Sequence, residues 1–323
     1  MEISINKRDY FFDTLKGFLI IAVIVGNTLE LASPTNVNVH YFILFLYMFH
    51  MPVFTFVSGY FSKRSKRTTV QKVKHIFTIY VLAQILYVAY YNYILHGELD
   101  FTLLATQWTF WYLLSLTAWY IISDYIKNEK LWLIGSIIFS LIIGFDTSVG
   151  SNGSFSRTFF FLPFFIAGMM FKREYIETIK KYRNYLLIGS IIILIILYFL
   201  QNYIPVDLLF EYTNYEHFID LGLFPLFCRA FHYIGAFLIG GFLISIIPQK
   251  RTSLSSLGKM SLYMYLFHGT VANTMLPYLN FNTLFSCILS CVTVVLICII
   301  ISMGMQHLSK TIKEKNKELS ESK

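Results

Sequence analysis

The feature that most constrains this chain is a succession of apolar runs, each near the length of a bilayer's hydrocarbon core and each set off by a short polar stretch. A core of about 30 Å takes ~20 helical residues, and runs such as LLIGSIIILIILYFL (186–200) contain no charged side chain. Backbone crossing lipid must satisfy its own hydrogen bonds, so these runs are expected to be helices. Candidate spans lie at 14–31, 41–62, 76–95, 108–126, 131–147, 157–172, 184–202, 221–247, 258–278 and 283–305. The expectation is an all-α integral membrane protein of about ten transmembrane helices, a single domain over 1–323 with a charged tail at 306–323. Composition agrees, since 56% hydrophobic against 14% charged residues is too apolar for a soluble domain of 323 residues. The first run ends in NTLELASPTNVNVH without a small-residue cleavage site and reads as a permanent span.

Charge sets the expected orientation. With an even number of spans, SKRSKRTTVQKVK, KNEK, KREYIETIKKYR, QKR and the KTIKEKNKELSESK tail fall on one side together with Lys7, Arg8, Lys16 and Lys259. Of the 26 Lys and Arg residues, only Arg157 and Arg229 fall outside this set. Basic residues collect in cytoplasmic loops, so both termini are expected in the cytoplasm of a multi-pass plasma-membrane protein. The opposite loops, HGELD, FDTSVGSNGSFS and QNYIPVDLLFEYTNYEHFID, are neutral or acidic. The net +8 therefore reflects orientation and attraction to anionic membrane lipids, with no nucleic-acid partner implied. Cys228, Cys287, Cys291 and Cys298 lack metal-ligand or redox spacing and read as packing residues, and no metal is expected.

Several polar groups lie where lipid would penalise them. Asn27 stands about 16 Å along the helix from Lys16 at the inner edge. His50 in LYMFHMPVFTFVSGYF and His268 in SLGKMSLYMYLFHGTV count to similar depth. A charged side chain in the hydrocarbon usually faces a partner or a wet cavity, which marks Arg229 and, at a span entrance, Arg157. Convergence of Asn27, His50 and His268 would make a polar cavity, with Trp111 and Ser58 as further wall candidates. Neutral His suits general-base work on a hydroxyl, and Arg or Asn can donate to an oxyanion or a phosphate. No carboxylate counts to mid-depth, because Asp13 lies at the inner edge and Glu30 toward the outer. That absence, with no internal repeat, argues against a proton-coupled pump. Walker, GxGxxG, GxSxG and HExxH patterns are missing.

The segments RDYFFDTLKGFLIIAVIVGNT, FHMPVFTFVSGYF, WTFWYLLSL, SRTFFFLPFFIAGMMF and LGKMSLYMYLFHGTV, in this order, resemble the integral-membrane acyltransferase-3 family, and within it the fucose 4-O-acetylase-like branch of polysaccharide O-acetyltransferases. The resemblance implies transfer of an acyl group, usually acetyl, from acetyl-CoA or another acyl-CoA co-substrate to a hydroxyl of an envelope glycan or lipid-linked sugar, with polysaccharide-synthesis proteins as partners. The family pattern of a basic residue, ten residues and a catalytic His in the first span maps here onto Lys16 and Asn27, so the His is replaced. Asn has no basic lone pair near neutrality. Three readings follow: His50, which matches the family's HMP segment, carries the base role with Asn27 positioning it or the substrate; the donor or acceptor has changed; or catalysis is lost and the chain serves polysaccharide export or assembly. Lys16, Arg157 and Arg229 are the expected donor or substrate contacts.

Overall fold

A computed structural model describes residues 9–150 and 152–321. Lys7 and Arg8, and Lys323 of the tail, lie outside the described residues. Among those described there is no strand, and thirteen α-helices follow in order: α1 Tyr10–Ala32, α2 Val37–Arg64, α3 Thr69–Tyr93, α4 Trp111–Ser123, α5 Glu129–Ile143, α6 Phe155–Met170, α7 Tyr175–Lys181, α8 Arg183–Leu200, α9 Val206–Phe210, α10 Phe224–Ile246, α11 Ser253–Lys259, α12 Ser261–Met275 and α13 Leu284–Glu321.

Each expected span contains a helix, but their lengths differ. Among the described residues, six helices are long and apolar enough to cross a membrane: α1, α2, α3, α8, α10 and the Leu284–Lys315 part of α13. The segments expected at 108–126, 131–147, 157–172 and 258–278 form α4, α5, α6 and α12, of 13, 15, 16 and 15 residues. At 1.5 Å per residue these reach only ~20–24 Å. Backbone breaks bound α4 and α6. Trp108 before α4 and Gly153 and Ser154 before α6 have positive φ, and α6 turns through 108° into α7.

The chain forms two compact units, one from Met1–Asn36 with Ile247–Lys323 and the other from Val37–Ile246. In the first, α1 and α11 touch backbone to backbone. A Cβ on Gly17 would strike the Leu254 carbonyl, and one on Gly258 would strike the Asp13 carbonyl. Thr14 and Thr252 hydroxyls lie 3.0 Å apart in the same crossing, and Thr252 also caps α11 by bonding Ser255 N.

The second unit repeats the device with α2 and α6. A Cβ on Gly59 would strike the Phe165 carbonyl, and one on Gly168 the Phe56 carbonyl. Close helix approach through small residues substitutes for the hydrophobic drive that lipid does not supply. The buried α4 joins this pair through polar bonds: Trp119 Nε1 donates to the Thr158 carbonyl at 2.8 Å, and the Ser115 and Thr158 hydroxyls meet at 2.7 Å. The four cysteines are free and buried.

Candidate functional site

In the first unit the chain brings together two of the polar residues singled out above. Asn27 Nδ2 lies 3.0 Å from His268 Nε2. The other ring nitrogen of His268, Nδ1, is 2.6 Å from the Tyr265 carbonyl. A carbonyl only accepts, so Nδ1 carries the proton, and the neutral ring's Nε2 lone pair receives the Asn27 amide. Asn27 thus occupies the basic nitrogen of His268. Both residues are buried. Lys16 pairs with Asp13 one turn back on α1, at 3.0 Å.

His50 belongs to the second unit, on α2 two residues before Pro52. Its Nδ1 bonds to the Leu46 carbonyl, which by the same reasoning leaves the neutral ring's lone pair on Nε2. The ring meets Tyr47 edge-on at 4.8 Å, and Tyr47 meets Phe210 at 4.8 Å.

Phe210 ends α9, and the next residue turns the chain inward. Glu211 adopts a left-handed conformation with φ 55°, one that non-glycine residues rarely hold without support. The support is ionic. Arg229 Nε donates to Glu211 Oε2 at 2.6 Å, and His232 Nδ1 donates to Glu211 Oε1 at 3.1 Å. Arg229 and His232 sit three residues apart on α10 and so share a helix face. The rest of the guanidinium fork donates to the Ser140 carbonyl at 2.9 Å, the Ser156 hydroxyl at 3.2 Å and the Thr213 carbonyl at 3.4 Å. Arg229 and Glu211 are each only 3% exposed. Beside them, burial pushes the Tyr215 phenol up to about 12, so it stays neutral over the Arg229 guanidinium, 5.0 Å from its ring centre.

Arg157 and Trp111 also meet in this unit. The guanidinium lies 4.8 Å from the Trp111 ring centre and 5.5 Å from that of Tyr212, while Nε donates to the Phe210 carbonyl at 2.8 Å. Trp111 stacks on Phe161 at 5.2 Å. Ser58 shares a 2.6 Å hydrogen bond with the Tyr112 hydroxyl. A separate cavity of about 300 Å³ opens at the α2–α3 connection, where Arg64, Arg67, Lys72 and His75 are among its walls.

Glu211 and His232 were not among the residues drawn from the sequence. Glu211 supplies the buried carboxylate that depth counting found missing, and it does so from a stretch that reads as an outer loop. Two signals pointed to the pair. A buried arginine demands a counter-ion, and CRAFHY sets a histidine one turn beyond Arg229.

The profile described as an acyltransferase domain, that of the acyltransferase-3 family, matches residues 9–303. Among curated proteins, the chain is similar to Nodulation protein NolL of Sinorhizobium fredii, 30% identical over 128 residues, or 34% of this chain and 35% of that protein. It is also similar to Nodulation protein NolL of Mesorhizobium japonicum, 40% identical over 60 residues, or 18% of this chain and 16% of that one. These matches thus span about a third or less of either relative. No solved structure matches. The helices that place Asn27, His50 and Arg229 all fall inside the matched range, and the chain belongs to the acyltransferase-3 family.

Proposed function

We propose that the protein is a plasma-membrane O-acyltransferase that moves an acyl group, acetyl first among them, from acyl-CoA to a hydroxyl of a cell-envelope polysaccharide or its lipid-linked precursor, as in the fucose 4-O-acetylase-like branch. The observation that carries this reading, in a chain of this family, is the tautomer of His50. Its Nδ1 proton is held by Leu46, so Nε2 is free of that proton and suited to accept one from a hydroxyl. The basic cavity of Arg64, Arg67, Lys72 and His75 suits the phosphates of an acyl-CoA. With both termini and the basic loops in the cytoplasm, that cavity opens to the donor, and the neutral to acidic loops face the glycan. Arg157, stacked with Trp111 and Tyr212, offers an aromatic and cationic wall for a sugar.

The state of Asn27 favours a second reading, in which catalysis is lost and the chain serves polysaccharide export or assembly. At the position of the family's first-span His stands an amide that is spent on His268. One experiment separates the two. Ester groups on the envelope polysaccharide are measured in a deletion strain carrying wild type, His50→Ala or Asn27→His. Transfer by His50 requires esters with wild type and none with His50→Ala at equal protein level. Unchanged ester content per polymer in the deletion strain, with altered export, establishes the second reading instead.

A further inference from the structure

Resting on the O-acyltransferase reading, we propose that His232 is a further catalytic residue, the resting place of the acceptor's proton, and that Glu211 is its positioning residue.

Three observations carry this. His232 Nδ1 donates to Glu211 Oε1 at 3.1 Å, which fixes the ring and leaves the lone pair of the neutral imidazole on Nε2. That Nε2 is fully buried and has no hydrogen-bond partner among the described residues. A buried polar atom without a partner costs about 1–3 kcal/mol, a cost that a packing role does not explain and an arriving hydroxyl would remove. Finally, the dyad adjoins the other candidate base. Glu211 follows Phe210, whose ring meets Tyr47, whose ring in turn meets His50.

The environments of the two imidazoles differ in a way that assigns roles. A proton arriving on His50 faces the neutral Leu46 carbonyl through Nδ1. A proton arriving on His232 faces the Glu211 carboxylate, and a charge-assisted hydrogen bond to the ionised partner is about twice as strong as a neutral one. The carboxylate therefore fixes the ring and selects the tautomer whose Nε2 lone pair can accept a proton, as the aspartate of a Ser-His-Asp triad does. Arg229, bonded to the other carboxylate oxygen at 2.6 Å, holds Glu211 in place in a backbone conformation that it would not otherwise keep.

The transfer then balances. The acceptor O–H bond breaks as the oxygen forms its bond to the acyl carbon, and the proton passes to His232 Nε2, directly or by way of His50. The carbon–sulfur bond breaks with its electron pair on sulfur, and the thiolate takes the proton from Nε2, leaving free thiol, ester and neutral imidazole.

The test uses membranes of a deletion strain carrying each version of the full chain, given labelled acetyl-CoA and read by label entering the endogenous polymer and by thiol release. His232→Asn is the informative variant, because its amide nitrogen takes the place of Nδ1 and keeps the bond to Glu211 while removing the base. The expected result is a fall in kcat of ~100-fold or more, the range of a lost general base, with KM for acetyl-CoA and the melting temperature of the purified protein unchanged. His232→Gln, whose amide reaches the Nε2 position, serves if His232→Asn does not accumulate, with the same expected loss. Wild-type kcat in either variant overturns the role of His232 and leaves the acyltransferase reading standing. Wild-type membranes that transfer no label overturn that reading, and this inference with it.

Discussion

Asn27 Nδ2 donates to His268 Nε2 at 3.0 Å, joining α1 to α12 inside the first unit. The residue that stands where the family's first-span histidine is expected is thus a partner of another histidine. His268 in turn has its basic nitrogen occupied, whereas the imidazole of His232 in the second unit has its Nε2 without a hydrogen-bond partner among the described residues.

Asn27→Ala deprives a fully buried imidazole of its amide donor. A loss of about 1–3 kcal/mol is expected, read as a lower melting temperature in detergent. His268→Ala should lose a similar amount, and the double variant should fall short of the sum by ~0.5–3 kcal/mol, the coupling of residues in contact. Strict additivity would show that the contact carries no energy.

Arg229→Met leaves Glu211 with its charge buried and its main counter-ion gone. Breaking a buried pair from one side costs about 3–5 kcal/mol, so the variant should accumulate poorly and melt early. Arg229→Met combined with Glu211→Leu removes both charges and should recover most of the loss. If the double variant is no better than the single, the ion pair is not what holds Glu211 in its left-handed turn.

Gly168→Ala drives a methyl group into the Phe56 carbonyl on α2, where backbone rather than a pliable side chain must give way. A penalty of ~1–3 kcal/mol, typical of overpacking, is expected. Gly135→Ala on α5 is the matched control, because nothing lies within 4 Å of the added Cβ. It should be neutral or stabilising by up to about 1 kcal/mol, the helix preference of Ala over Gly. Thermal melts of the two variants side by side decide the point.

On the acyl-CoA reading, Arg67→Gln in the basic cavity should raise KM for acetyl-CoA several-fold while kcat holds. Arg67 is the informative position because Arg64 is occupied by the Tyr60 and Phe171 carbonyls at 3.1 and 2.7 Å. An electrostatic contact of this kind weakens with ionic strength. Added salt should therefore raise the wild-type KM more than that of the variant, and equal salt responses would remove Arg67 from donor binding.

The hydrophobic pattern of the chain made the helices legible, because a run of apolar residues can satisfy its backbone in lipid in few other ways. Lengths were less legible. The breaks at Trp108, Gly153 and Ser154 depend on backbone conformations that hydropathy does not register. The segments that carry the family resemblance gain a structural meaning that no single segment displays. The glycines of LKG and LGK meet as Gly17 and Gly258, and those of SGY and AGM as Gly59 and Gly168. Asn27 and His268 were foreseeable as neighbours from their matching depth. Glu211 was not, since a carboxylate in a polar loop looks solvated until the chain turns it inward. Local sequence carries periodicity and burial tendency, and these are properties of one helix at a time. Which buried charge meets which, and which histidine is left with an unpartnered lone pair, are long-range pairings across 18 to 241 residues of chain, and only the packed tertiary structure decides them.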